Sequence, residues 1–127
     1  MIVLDTDVLI EIFDKRSVKG DQALSRIVDS GEDIATTSIN LHEILYGLRK
    51  YAKPVKDISL LPILGYAKED AQVSSEMELK AEESGRPVRR TNAMIAAIAL
   101  NRGAALYTFD LKHFDPLQKL GLHLFPK

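Results

Sequence analysis

Apolar positions along the chain come as short unbroken runs and as longer stretches at helical spacing. Ile2-Val3-Leu4 is β-branched and apolar without alternation, the pattern of a central strand buried on both faces. Val8-Leu9-Ile10 with Ile12-Phe13 predicts a short helix ending near Asp14-Lys15. Ala23, Leu24, Ile27 and Val28 predict a second helix over about residues 21–29, closed by Ser30-Gly31. Residues 33–37 read as the second strand. Leu41, Ile44, Leu45 and Leu48 then fall at i, i+3, i+4 and i+7, one full apolar stripe. Glu43 lies about 200° round from Leu41 at 100° per residue, off the core face.

Pro54 interrupts the chain after this helix; residues 55–61 fit a short helix and 62–66 a short strand. Residues 68–84 are helical by propensity, with Gly85 where a C-terminal cap belongs, but Ala71, Val73, Met77, Leu79 and Ala81 form no single stripe. Asn92 is expected to open a helix over residues 93–100, which is apolar all round and therefore buried on most sides. Asn101-Arg102-Gly103 ends it, residues 104–108 read as another buried strand, and residues 122–125 as a final edge strand. Strands alternating with helices predict an α/β fold with a parallel sheet covered on both faces.

The 127 residues, 46% of them hydrophobic, suffice for one domain with one core, and no linker, repeat or low-complexity tract divides residues 1–127. The longest apolar run, residues 93–100, falls far short of the roughly twenty residues of a membrane span. No basic segment followed by an apolar run opens the chain, which predicts a cytoplasmic protein. The absence of cysteine excludes disulfides, zinc–thiolate sites and thiol catalysis. A net charge of −1 argues against nucleic-acid binding by bulk charge. A nuclease remains open, since a site that recruits cations must be locally acidic.

Four polar residues stand at the ends of buried elements: Asp5, Glu43, Asn92 and Asp110. Each alone has an ordinary explanation. Asp5 or Asp7 fits an N-cap, Asn40 to Glu43 has capping-box spacing, Asn92 sits where an N-cap belongs, and Asp110 suits a turn. Together they point further. If the strands are parallel neighbours, Asp5 and Asp110 converge at one sheet edge, with Glu43 on the exposed side of its helix. Crowded carboxylates raise one another's pKa unless a cation neutralises them, and hard oxygen ligands suit Mg²⁺ or Mn²⁺. Such ions activate water and stabilise charge on a phosphodiester. His42, His113 and His123 lack paired ligand spacing, Ser38 has no evident His–Asp partners, and the seven glycines form no phosphate loop.

Four segments in order carry a family resemblance: Val3-Leu4-Asp5-Thr6-Asp7-Val8-Leu9, Thr37-Ser38-Ile39-Asn40-Leu41-His42-Glu43 with Gly47, Asn92-Ala93-Met94-Ile95-Ala96-Ala97, and Leu106-Tyr107-Thr108-Phe109-Asp110-Leu111-Lys112-His113-Phe114. The chain resembles PIN-domain nucleases, in particular VapC-type toxins of toxin–antitoxin pairs. The resemblance implies a three-layer α/β/α sandwich around a central, mostly parallel sheet. It also implies Mg²⁺- or Mn²⁺-dependent endoribonuclease activity, a homodimer, and a cognate antitoxin that masks the site. Carried over by position, Asp5, Glu43 and Asp110 match the family's metal-site acids, Thr108 matches a hydroxyl residue beside the last acid, and Asp7 matches a supporting position. Arg89 and Arg90 match no motif and are candidate phosphate contacts by charge alone.

One departure matters. The resemblance places an aspartate where this chain has Asn92. Asparagine keeps the shape and one carbonyl oxygen but loses the charge, so metal affinity should fall while the fold is kept. Asn92 fits either a weakened natural relative or a sequence altered to silence a toxic enzyme, and the close match around it favours the second. Two rival functions stand beside the nuclease. Leu4-Asp5-Thr6-Asp7 also resembles the Asp-x-Asp of haloacid-dehalogenase-type phosphatases, which would give Glu43 no role. A PIN-fold module that has lost catalysis and survives as a binding partner has Asn92 as its support.

Overall fold

Strands β1 (Ile2–Leu4), β2 (Ile34–Thr37), β3 (Ile63–Leu64), β4 (Ala105–Tyr107) and β5 (Leu124–Phe125) make one sheet in the order β3-β2-β1-β4-β5. All four pairings are parallel. The structure is a computed structural model that describes residues 1–126. Seven helices connect the strands: α1 (Thr6–Leu9), α2 (Val18–Ser30), α3 (Ser38–Lys50), α4 (Lys56–Ser59), α5 (Lys68–Glu83), α6 (Arg90–Asn101) and α7 (Leu111–Gln118). A π-helical turn, Ile10–Asp14, continues α1. Among the described residues, no helix is long and apolar enough to cross a membrane.

Side-chain alternation along the strands divides the core in two. Val3 and Leu106 face Met77, Ile95, Phe114 and Leu117, under α5, α6 and α7. Ile2, Leu4 and Tyr107 face Leu9, Ile27, Ile44 and Ile58, under α1 to α4. The result is the expected three-layer α/β/α sandwich. Strands of two to four residues suffice because both faces are dry, and each methylene removed from water contributes about 0.8 kcal/mol.

Several details differ from the sequence expectation. Helix α2 begins at Val18, three residues earlier, because Ser17 Oγ accepts from Gly20 N. Its buried face is Gly20, Ala23 and Ile27, while Leu24 and Val28 are exposed. Gly20 packs on the π-helical turn so closely that a Cβ there would lie 2.1 Å from Glu11 O, so only glycine fits. Helix α7 carries Pro116 inside it and has no counterpart in the sequence reading; burial of Phe114 and Leu117 holds it to the sheet. Helix α5 docks through Asp70, Ser74, Met77 and Ala81, a stripe half polar and hence missed. Asp70 accepts from Ala67 N and from Asn101 Nδ2, and Ser74 bonds the Tyr66 hydroxyl, so no buried polar group in that stripe is orphaned.

Candidate active site

Parallel register brings the carboxyl ends of β1 and β4 side by side, with Leu4 opposite Tyr107. The next residues, Asp5 and Thr108, therefore meet, and the Thr108 hydroxyl donates to Asp5 Oδ2 at 2.7 Å. Asp5 is also the N-cap of α1, since its Oδ1 accepts from Thr6 N. The third donor comes from β2's side. Thr37 caps α3 by accepting from Asn40 N, its hydroxyl donates to Asn40 Oδ1, and Asn40 Nδ2 donates to Asp5 Oδ1 at 2.9 Å. Asp5 is thus a cap and more: three donors fix a carboxylate that is only 8% exposed.

The same network reaches Glu43. Asn40 Nδ2 also donates to Thr6 Oγ1, whose hydroxyl donates to Glu43 Oε1 at 3.2 Å. Glu43 lies on the exposed side of α3, as its helical position predicts, and the capping box expected from Asn40 to Glu43 is absent because Thr37 is the cap. Asp7 Oδ2 accepts from Phe109 N, tying α1 to the turn after β4, while Asp7 Oδ1 is buried without a partner among the described residues.

Charge accumulates here. Burial raises the Asp5 carboxyl above its ordinary value, against the lowering effect of its donors. Asp7 is pushed up to about 6, first by burial and then by the charge of Asp5. Glu43 is raised by burial and by Asp5, with Thr6, His42 and Arg89 acting in the opposite sense. For each of these groups the surroundings disfavour the charged form.

The other half of the constellation is looser. Asp110 is the N-cap of α7 by position, but its side chain makes no cap bond; both carboxylate oxygens face His113 Nδ1, at 2.7 and 2.8 Å. Its backbone N–H donates to Thr108 Oγ1, which links it to Asp5 through one hydroxyl. Asn92 is not the N-cap of α6. Arg89 is, and Asn92 sits half-buried in the first turn with no side-chain hydrogen bond among the described residues. Arg89 lies close enough to Glu43 for its charge to be felt there. Arg90 is turned away: its guanidinium grips Glu78 through Nε and Nη2, at 3.1 Å each.

A divalent cation fits this set in kind and in charge. The donors are oxygens, Asp7 Oδ1 has no partner among the described residues, and Asp5, Asp7 and Glu43 are raised first by burial and further by neighbouring carboxylate charge, which a cation would offset. Among the described residues, no three acidic or histidine side chains gather closely enough to form a ready-made ion cage.

Sequence reasoning passed over Thr6, Asn40 and His113 as parts of the site. Asn40 left a signal. It recurs at four-residue intervals with Ile44 and Leu48, so a polar residue sits on an apolar stripe, and all three are buried. His113 stands three residues after Asp110 on one helix, the spacing of facing side chains, but α7 itself was not foreseen.

Comparison with known proteins places the fold in a family. The chain is 25% identical over 120 residues to the ribonuclease VapC2 of Haemophilus influenzae, covering 89% of each. Its fold matches a VapBC2 structure from Rickettsia felis, bound to a promoter DNA fragment, with a TM-score of 0.80 and 24% identity over 98% of this chain and 97% of that one. VapBC-1 from nontypeable Haemophilus influenzae matches with a TM-score of 0.78 and 21% identity over 100% of both chains. The PIN domain family profile matches residues 2–119. With that match spanning both strand-end acids and α3, the chain belongs to the PIN domain family.

Proposed function

We propose that this chain is a single PIN domain acting as a divalent-metal-dependent endoribonuclease, the toxin of a type II toxin–antitoxin pair, weakened at Asn92. The reading rests on one observation above all: Asp5, Asp7 and Glu43 converge at the carboxyl edge of the sheet, where burial raises all three and the charge of neighbouring carboxylates adds to it. The relatives support it in kind, one named a ribonuclease and others solved as VapBC complexes. A cognate antitoxin, a homodimer and a cytoplasmic setting belong to the same proposal.

Asp5, Glu43 and Asp110 would hold Mg²⁺ or Mn²⁺, with Asn92 a neutral fourth position. Such an ion neutralises charge on the phosphodiester and makes a water more acidic. The chain's own work is positioning. Thr108, Asn40 and the Thr6 amide fix Asp5 before any ion binds, so little reorganisation is needed. Asp7 supports the site by holding Phe109 N, and with it the turn that presents Asp110. The phosphatase alternative gives Glu43 no role, whereas here Glu43 is tied to the Asp5 network through Thr6 and Asn40.

The test restores the acid. Asn92→Asp protein with Mn²⁺ should cleave RNA, EDTA should stop it, and Asp5→Asn in the same background should abolish it. A folded Asn92→Asp protein that stays inert with Mn²⁺ would favour the second reading, a PIN-fold binding module. Two observations lend that reading weight: Asn92 itself and the engagement of Asp110 by His113.

A further inference from the structure

Uncompensated positive charge flanks the acidic cluster in two separate depressions, one lined in part by Asp110 and the other by its hydrogen-bond partner His113. One, of about 380 Å³, is lined by Asp7, Glu11, Lys15, Lys19, Phe109 and Asp110. There Lys19 Nζ stands 4.1 Å above the Phe109 ring, a cation–π contact that holds the ammonium beside the acids. Lys15 is partly spoken for by Glu11, at 3.8 Å, whereas Lys19 has no carboxylate within ion-pair distance among the described residues. The second depression, also about 380 Å³, includes Arg86, Arg89, Lys112 and His113. Arg86 is paired with Asp115 at 2.8 Å; Arg89 and Lys112 have no such partner among the described residues. His113 joins this depression to the cluster through its bond to Asp110, and Arg89 joins it through its charge on Glu43.

The surface therefore reads cation, acids, cation. An acidic cluster repels a polyanion, so a substrate of repeating phosphates needs cationic holds on either side of the point of attack. Half-buried and exposed lysines and arginines that lack internal partners supply them, because binding a phosphate there breaks no ion pair of the protein. We propose that Lys19 on one side, and Arg89 with Lys112 on the other, are positioning residues that hold consecutive phosphates of a single-stranded RNA across the acids. This rests on the ribonuclease reading above. It replaces Arg90, which charge alone suggested, because Arg90 is committed to Glu78.

The test is binding of a single-stranded RNA oligonucleotide of about ten nucleotides to the full chain carrying Asp5→Asn, so that cleavage does not intervene. The dependence of affinity on salt concentration is the readout. Each phosphate contact contributes about 0.7 to that slope for a single strand. Lys19→Gln, Arg89→Gln and Lys112→Gln should each lower the slope by about that amount. Lys19→Arg should restore it, while Arg90→Gln and the distant Lys68→Gln should leave it unchanged. Thermal melts confirm folding, and Lys19, Lys68, Arg89, Arg90 and Lys112 are all exposed. RNA binding whose slope ignores Lys19, Arg89 and Lys112 would overturn this inference and leave the ribonuclease reading standing. No RNA binding at all would overturn both.

Discussion

On the β1–β2 side of the cleft, Asp5 takes three hydrogen bonds from Thr6, Asn40 and Thr108, and Asn40 is itself clasped by Thr37. On the α6–α7 side, Asp110 leans on one exposed histidine, and Asn92 makes no side-chain hydrogen bond among the described residues. One half of the site is finished by folding alone; the other is unfinished, lacking a charge at position 92. A buried polar group is held firmly when its hydrogen bonds are satisfied, as both Asp5 oxygens are, whereas the contact between Asp110 and His113 lies largely in solvent.

The largest effect that separates the halves is on stability. Asp5→Ala leaves the Thr108 hydroxyl and one Asn40 N–H without their acceptor in a dry setting, and should cost about 1–3 kcal/mol in urea unfolding. Asp110→Ala removes a contact that is mostly in solvent and should cost about 0.5 kcal/mol or less. Equal losses for the two would erase the distinction. Asp5→Asn, which keeps the shape, is the better probe of chemistry than Asp5→Ala for the same reason.

Next in size is Asp7. Its carboxyl titrates near 6 when folded and near 3.8 ordinarily. Below 3.8 it is protonated in both states and imposes no penalty. As pH rises through the window from 3.8 to about 6, the unfolded chain releases its proton first, so stability falls and stays lower at neutral pH. Asp7→Asn should flatten that decline in metal-free buffer and stabilise the protein at pH 7 by about 1–2 kcal/mol, allowing for solvent screening. Melting temperatures between pH 4 and 7.5 check it; a steeper decline in the variant would contradict the assigned cause.

The smallest effect sharpens the looser half. His113→Gln should leave stability nearly unchanged, within about 0.5 kcal/mol, because both partners are exposed. It should also free Asp110 for an ion, tightening Mn²⁺ binding modestly. Weaker binding would show that His113 orients Asp110 rather than occupying it.

The two halves also differ in how far they could be read beforehand. Asp5 and Asp110 were legible because an apolar strand that ends in an acid is a local pattern, and Glu43 because helical periodicity fixes its face. The parallel order that brings them together followed from alternating strands and helices. Asn40 was not recognised, since its role depends on a register that places β2 beside β1, a non-local fact. Helix α7 was hidden by Pro116 and by its short length, and with it the His113 contact. The pairing of Arg90 with Glu78, a helix away, was likewise not legible, because charge along a sequence does not reveal which residues meet.

The central claim is that Asp5, Glu43, Asp110 and position 92 share one ion site. Calorimetric titration of Mn²⁺ into this chain and into Asn92→Asp tests it most directly. The account predicts binding at least about tenfold tighter in the aspartate form, equivalent to about 1.4 kcal/mol. Equal binding would contradict a shared site, and no binding in either form would reduce the acids to caps and turn residues of a PIN scaffold.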